Sequence, residues 1–117
     1  MDNPDLQALI AEIREFVAER DWEQFHTPKN LSMALAVEAA ELMEHFQWLT
    51  PEASFNFPVP KKEKISHELA DILVYLLRLS DVLQINLIEA TRKKISQNRE
   101  KYPIEKVRGS AEKYDKY

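Results

Sequence analysis

Apolar residues recur at intervals of three or four positions along four stretches of the chain, which is the spacing of one face of an α-helix. These stretches run from about residue 5 to residue 20, from Pro28 to Leu49, from about residue 60 to Leu83 and from Asn86 to Tyr102. The sequence contains no alternating run of apolar and polar residues that would predict a β-strand. We therefore predict an all-α protein of four main antiparallel helices.

Proline and short polar residues mark the ends of these helices. Thr27 precedes Pro28, a combination typical of a helix start, because the hydroxyl can accept a free N–H and proline needs none. Pro103 ends the fourth helix, since proline disfavours helical backbone at the residue before it. We predict a domain at residues 1–103 and a basic, less ordered C-terminal tail at residues 104–117.

Two pairs of acidic residues interrupt the apolar stripes of the second and third helices. Glu38 and Glu41 form one pair, and Glu68 and Asp71 form the other. The i, i+3 spacing places both carboxylates of a pair on one helix face, and Glu38 and Glu41 follow Leu31 on the inward side. Pairs of this kind also occur on solvated faces, but an ionised carboxylate that faces an apolar interior requires a partner or a metal. Two such pairs on adjacent helices favour a metal site.

About ten residues join the second and third helices, so we expect these helices to be neighbours and the four acids to meet. A set of carboxylate oxygens is suited to a hard divalent cation. Mg²⁺ fits best, because it commonly keeps water ligands and bridges to substrate phosphates. The sequence thus predicts Mg²⁺ as the cofactor.

Composition limits the other function classes. The net charge of −4, with basic residues spread along the chain, gives no general surface for a nucleic acid polymer. The absence of cysteine excludes disulfides and thiolate sites, and no stretch is long and apolar enough for a membrane span or a signal peptide, so we expect a cytoplasmic protein. The single glycine, Gly109, excludes glycine-rich phosphate-binding loops, so any phosphate must be bound through metal ions and side chains.

The acidic pairs and several aromatic motifs resemble a known family. Glu38-x-x-Glu41 is followed 27 residues after Glu41 by Glu68-x-x-Asp71, which resembles the signature of the all-α nucleoside triphosphate pyrophosphohydrolases, the MazG-like superfamily. The stretches that resemble its dCTP pyrophosphatase branch are Arg20-Asp-Trp-Glu-Gln-Phe-His-Thr-Pro-Lys-Asn-Leu, Glu44-His-Phe-Gln-Trp48, Glu68-Leu-Ala-Asp-Ile-Leu-Val-Tyr75 and Asn98-Arg-Glu-Lys-Tyr-Pro103. The resemblance as a whole extends over roughly residues 10 to 117.

The resemblance implies hydrolysis of a nucleoside triphosphate, most closely dCTP or a modified dCTP, to the monophosphate and pyrophosphate. Glu38, Glu41, Glu68 and Asp71 would hold Mg²⁺. Glu38 or Glu41 would also act as a catalytic residue by orienting or deprotonating the attacking water. The metal would neutralise charge on the triphosphate and lower the pKa of a bound water.

The resemblance also implies contacts to the rest of the substrate. The residues Lys94, Asn98 and Arg99 match the family's phosphate-binding stretch, although the basic end of a helix also complements the helix dipole without any ligand. The candidates for the base and sugar are Trp22, Glu23, Gln24, Phe25, His26, Trp48 and Tyr75. Aromatic faces stack on any base, so selectivity would need placed hydrogen bonds. Ile13 stands where the branch can carry a histidine.

The apolar surroundings of the third helix predict burial by neighbours on nearly every side, and the family generally assembles. We therefore expect a homo-oligomer, either a tetramer or a dimer, with a site that uses residues of two chains. Two other functions stay open. One is a pyrophosphohydrolase of broader specificity, including dUTP or oxidised nucleotides, and the other is a helical interaction module without catalysis.

Overall fold

The computed structural model describes residues 4–111, and within this range it is entirely helical, with no β-strand. The helices are α1 (Pro4–Glu19), α2 (Pro28–Glu44), α3 (Val59–Val82), α4 (Leu87–Lys101) and α5 (Ile104–Val107). Short 3₁₀ turns at Glu23–Phe25 and Ala53–Phe55 lie in the connections before α2 and α3. The prediction of an all-α protein is confirmed, whereas the antiparallel order of four helices stays a prediction.

Side-chain caps explain where two of the helices begin. Thr27 Oγ1 accepts a hydrogen bond from the Asn30 N–H at 3.1 Å, at the start of α2. Asn86 Oδ1 accepts one from the Glu89 N–H, also at 3.1 Å, at the start of α4. Each cap satisfies one of the backbone donors that a helix leaves free at its first turn. Both starts agree with the sequence prediction.

Helix α2 ends at Glu44, five residues before the predicted end at Leu49. Beyond it the backbone tightens into turns, in which the Phe46 N–H donates to Met43 O and the Leu49 N–H to Phe46 O, each at 2.9 Å. These bonds reach three residues back, as in a 3₁₀ turn, and so they close the helix. The ring centroids of Phe46 and Phe57 lie 6.1 Å apart. This contact packs the turns against the connection that leads into α3.

The long helix α3 is the element on which α1 and α2 both pack. Its residue Leu77 is fully buried, and it forms the core together with three residues of α1: Ile10, Ile13 and Val17. These α1 residues follow the helical period, so one stripe of α1 faces α3. Packing on both sides of α3 places the acidic residues of α2 opposite those of α3.

Helix α4 meets this core at its start, where Leu87 packs against the buried cluster. Farther along, Ile95 is exposed. The short helix α5 lies within the stretch that the sequence predicted as a tail, and Gly109 follows it with a positive φ of 81°. Residues 112–117 of that predicted tail lie outside the described residues.

The described chain is extended. Its radius of gyration is 17.8 Å, compared with about 13 Å for a compact chain of this length. Large apolar side chains are exposed on α2 and α3, among them Met33, Val37, Leu69 and Leu73. Within residues 4–111, every helix is too short or too polar to cross a lipid bilayer.

Candidate active site

The four predicted acids form a carboxylate cluster between α2 and α3. Glu38 and Glu68 are partly buried, whereas Glu41 and Asp71 are exposed. Burial raises the pKa of Glu38, and the negative charges of Glu41, Asp71 and Glu68 raise it further. All three neighbours therefore act on one carboxylate, so the two acidic pairs do face each other.

The imidazole of His45 lies at one end of the carboxylate cluster. Its Nε2 is 2.5 Å from Glu68 Oε2, although the two groups are not aligned as a hydrogen bond. The sequence analysis left His45 outside the site. Its position one helical turn after Glu41 could have indicated that it shares the face of the acids.

Two oxygens of the carboxylate cluster, Glu38 Oε2 and Glu68 Oε2, are buried and accept no hydrogen bond. Buried polar atoms without a hydrogen bond are rare, and a role in binding an ion is one of the physical reasons for them. Hard oxygen donors that repel one another fit a divalent cation. In the described part of the chain, however, no three His, Cys, Asp or Glu side chains are gathered closely enough to surround one ion.

An aromatic cleft of about 390 Å³ opens beside the carboxylate cluster. It lies between α1, α3 and the connection from α1 to α2, and its walls are formed by Glu12, Ile13, Phe16, Val17, Trp22, His26, Asp71, Val74, Tyr75 and Arg78. Its size lies in the range of about 300–1,000 Å³ that is usual for small-molecule sites. Asp71 belongs both to this wall and to the carboxylate cluster, so the two features form one continuous site.

The position of Trp22 follows from the way α1 ends. Asp21 has a positive φ of 53°, and the Trp22 N–H donates back to Val17 O at 3.1 Å. This is the Schellman arrangement, which turns the chain back over the last turn of a helix. Trp22 therefore meets the edge of Phe16, with ring centroids 5.7 Å apart, and the Arg20 guanidinium lies 3.8 Å from the centre of the Phe16 ring. These contacts build the aromatic wall.

His26 lines the aromatic cleft and contacts α3. Arg78 Nε donates a hydrogen bond to His26 Nδ1 at 3.1 Å. Burial lowers the pKa of His26, and the positive charge of Arg78 lowers it further. A neutral imidazole is therefore favoured in the cleft.

The candidates for the base and sugar are not all in one place. Trp22, His26 and Tyr75 line the aromatic cleft. The residues Glu23, Gln24 and Phe25 form the 3₁₀ turn next to it, and their side chains are exposed. Trp48 is 87% exposed in the turns after α2 and does not line the aromatic cleft.

The phosphate candidates Lys94, Asn98 and Arg99 all lie on α4. None of them lines the aromatic cleft, which is formed by α1, α3 and the connection after α1. Lys94 and Arg99 are exposed, and Asn98 is partly buried. Within the single chain, the phosphate candidates therefore do not belong to the aromatic cleft.

The sequence analysis missed Arg78, which contacts His26 at the wall of the aromatic cleft. Asp71, Val74, Tyr75 and Arg78 have the spacing i, i+3, i+4 and i+7, which is one face of a helix. Asp71 and Tyr75 were already candidates, so this periodicity could have identified Arg78. The walls contributed by α1 carried no such signal, because their residues follow the ordinary pattern of a core.

Comparison with known proteins shows which family the chain is similar to. The MazG-like family matches residues 33–116. Curated dCTP pyrophosphatase 1 proteins are similar over 95% of this chain, with 42% identity for the mouse protein and 39% for the human protein. The chain spans 66% of the length of these two relatives, slightly less than two thirds.

A solved structure shows the same fold. A pyrophosphatase from Archaeoglobus fulgidus is 40% identical and superposes with a TM-score of 0.82, covering 88% of this chain and 96% of its own. The expected resemblance to the dCTP pyrophosphatase branch is confirmed by these relatives, and a divalent metal requirement is in keeping with such a family. With the family match extending over most of its length, the chain belongs to the MazG-like family.

Proposed function

We propose that this chain hydrolyses dCTP, or a modified dCTP, to the nucleoside monophosphate and pyrophosphate. The observation that carries the proposal is the position of Asp71, which belongs to the carboxylate cluster and also lines the aromatic cleft. A nucleotide whose base and sugar occupy the aromatic cleft would have its phosphates beside the acids. The names of the mouse and human relatives support dCTP as the substrate.

Mg²⁺ is the cofactor that we assign to the carboxylate cluster, with Glu38, Glu41, Glu68 and Asp71 as its ligands. When bound, it would neutralise charge on the triphosphate and lower the pKa of a bound water. The buried Glu38 and Glu68 oxygens, which accept no hydrogen bond, support this assignment, although Glu68 Oε2 also lies 2.5 Å from His45 Nε2. Glu41 and Asp71 are exposed, so their side chains have room to turn towards an ion bound at those two oxygens.

The chemical step needs a base and a leaving group. Water attacks the α-phosphorus. The bond from this phosphorus to the oxygen that bridges it to the β-phosphate breaks, and pyrophosphate leaves with the bonding electrons. Glu38 or Glu41 orients the water and accepts its proton.

The phosphates of the substrate also need positive partners. Lys94, Asn98 and Arg99 lie on α4 and do not line the aromatic cleft of their own chain, so we assign them to the site of a neighbouring copy. The exposed apolar residues of α2 and α3 and the extended shape of the chain support an assembly. We propose a homo-oligomer, with a tetramer favoured over a dimer.

A panel of nucleoside triphosphates tests the function directly. We expect dCTP, or its modified forms, to give the highest kcat/KM, with dCMP and pyrophosphate as products and with no turnover in EDTA. Phosphorus NMR of the products separates pyrophosphate from orthophosphate. Orthophosphate as the product, or turnover that survives EDTA, would contradict the mechanism.

The same panel decides between the alternatives. Comparable turnover of dUTP or oxidised nucleotides would indicate a broader pyrophosphohydrolase. A non-catalytic helical module would show no turnover and no thermal shift with Mg²⁺ plus a nucleotide, and Glu41→Gln would then change nothing. We expect Glu41→Gln to reduce kcat by at least about 100-fold, in line with the removal of a general base.

A further inference from the structure

A line of four polar side chains leads from the surface of α1 to the aromatic cleft. Arg14 donates two hydrogen bonds to the Asp81 carboxylate, one of them from Nε to Oδ2 at 2.6 Å. Arg78 Nη1 lies 3.6 Å from the same oxygen, and Arg78 Nε donates to His26 Nδ1 at 3.1 Å. Asp81 does not line the aromatic cleft, yet it is connected to the cleft through Arg78 and His26.

The direction of the last hydrogen bond determines the chemistry of His26. A guanidinium has only donors and stays protonated at any physiological pH, so Arg78 Nε donates and His26 Nδ1 accepts. A neutral imidazole that accepts at Nδ1 carries its proton on Nε2. His26 is therefore in the Nε2–H tautomer, and protonation of Nδ1 would break the contact.

Burial holds this arrangement in place. The side chains of Arg78 and Asp81 are 11% and 9% exposed, so water offers the guanidinium few other partners. The neighbouring residues Leu77 and Ser80 are buried in the core. Arg78 is thus held between the Asp81 carboxylate and the His26 ring.

The other ring nitrogen of His26 is available to a ligand. His26 lines the aromatic cleft together with Trp22 and Tyr75, and within residues 4–111 its Nε2 is hydrogen-bonded to no acceptor. We propose that Arg78, supported by Asp81 and Arg14, is a positioning residue that fixes His26 as a neutral Nε2–H donor to an acceptor on the nucleobase. This inference rests on the proposed function, because it takes the ligand of the cleft to be a nucleotide.

The chemistry of the cleft favours the base over the phosphates as the partner of His26. Flat aromatic side chains suit a nucleobase. A neutral donor suits a carbonyl oxygen or ring nitrogen, whereas a phosphate is bound more strongly by a cation. A donor of fixed position also rejects bases that present a donor at the same place, because two donors would face each other unpaired. His26 would therefore contribute to selectivity rather than to the chemical step.

The tautomer is measured directly by long-range ¹H–¹⁵N NMR of the full chain. The chain has three histidines, so His→Phe variants assign the His26 signals. We expect the wild type to carry its proton on Nε2, and the Nε2 resonance to shift when dCMP is added. In Arg78→Met we expect a mixture of both tautomers. A proton on Nδ1 in the wild type, or no response to dCMP, would overturn the inference.

A double-mutant cycle tests whether Arg78 acts through His26. Arg78→Met removes the donor while Asp81 keeps its partner Arg14, so the fold should survive, which circular dichroism checks. We expect KM for dCTP to rise by about 3- to 10-fold with kcat unchanged, the usual effect of losing one hydrogen bond made equally in the ground and transition states. His26→Phe should cost as much, and the double variant no more than His26→Phe.

A control variant and two further outcomes complete the test. Arg108→Gln removes a positive charge from an exposed position and should leave KM unchanged. Losses that add in the double variant would mean that Arg78 does not act through His26. A wild-type protein that hydrolyses no nucleoside triphosphate, but whose Nε2–H responds to dCMP, would contradict the proposed function and leave this inference standing.

Discussion

Glu38 is the residue at which the demands of the site and of folding conflict. Its Oε2 is buried without a hydrogen bond, and the negative charges of three other carboxylates act on it. Its pKa is raised in the folded state, which means that the ionised side chain is less stable there than in the unfolded chain. This destabilisation is greatest above the folded-state pKa and disappears at lower pH, where Glu38 is protonated in both states.

Replacing Glu38 by glutamine should therefore stabilise the protein in the absence of metal. We expect Glu38→Gln to raise Tm by a few degrees at pH 7 in EDTA, because it removes a buried charge and its repulsion. The same substitution should abolish most of the increase in Tm that Mg²⁺ gives to the wild type. Thermal unfolding with and without Mg²⁺ measures both effects.

Glu44→Gln is the matched control, since Glu44 is an exposed glutamate at the end of the same helix. It should leave both Tm and the response to Mg²⁺ unchanged. A wild-type Tm that does not respond to Mg²⁺ would count against the proposed ligands. A lower Tm for Glu38→Gln in EDTA would contradict the claim that the ionised Glu38 side chain destabilises the metal-free fold.

The sequence could predict the acids of the site because their signal is local. Carboxylates on an apolar helix stripe are unusual wherever the helix packs, so their spacing was enough. The exposure of Trp48 and the contact between Arg78 and His26 depend on distant elements, which no local pattern contains. The resemblance to a family brought Trp22 and Trp48 into one candidate set, but only Trp22 lines the aromatic cleft of the single chain.

At the scale of elements, the ion pair between Arg14 and Asp81 joins α1 to α3. Hydrogen bonding from Arg14 lowers the pKa of the Asp81 carboxyl, so the ionised form is favoured in the folded state. The pair therefore contributes stability at any pH above 3.8, the ordinary pKa of this carboxyl. That contribution is lost as the pH falls through the lower folded-state pKa.

Asp81→Asn should consequently destabilise the chain by about 1–3 kcal/mol at neutral pH, the usual cost of losing hydrogen bonds to a charged group. The difference from the wild type should shrink as the pH is lowered from 5 to 2. Urea unfolding at a series of pH values measures it. Glu15→Gln, an exposed position beside Arg14, serves as the control and should be neutral at every pH. An equal loss at all pH values would argue against the ion pair.

Helix starts were predictable at this scale, and one helix end was not. Thr27 and Asn86 cap α2 and α4 with their own side chains, a signal written into the residues next to each start. The end of α2 at Glu44 accompanies a tertiary contact, the packing of Phe46 on Phe57. The residues around Glu44 did not predict this helix end. Their local pattern would be the same if the helix continued past Phe46.

For the whole molecule, the apolar surface is the main unexplained feature of the single chain. Leu69 and Leu73 lie one helical turn apart on α3 and are 52% and 40% exposed. A contiguous apolar face of this kind is typical of an interface. The sequence predicted burial of α3 on nearly every side, and the single chain supplies that burial only in part.

Leu73→Glu should weaken the proposed assembly, because it places a charge on this face. We expect light scattering to give a multiple of the 13.7 kDa chain for the wild type and a shift towards 13.7 kDa for the variant. Lys62→Glu, which changes charge at an exposed polar position of the same helix, should keep the wild-type mass. A wild type that is already monomeric at micromolar concentration would contradict the assembly and the assignment of α4 to a neighbouring site.

If copies of the chain assemble as proposed, dilution would act on this protein as a denaturant does. Where subunits complete one another's interior, the free energy of unfolding includes a term that depends on protein concentration. A newly made chain would then gain much of its stability on meeting a second copy. The cell's supply of the protein would thus regulate how long each copy survives, in addition to how much activity is present.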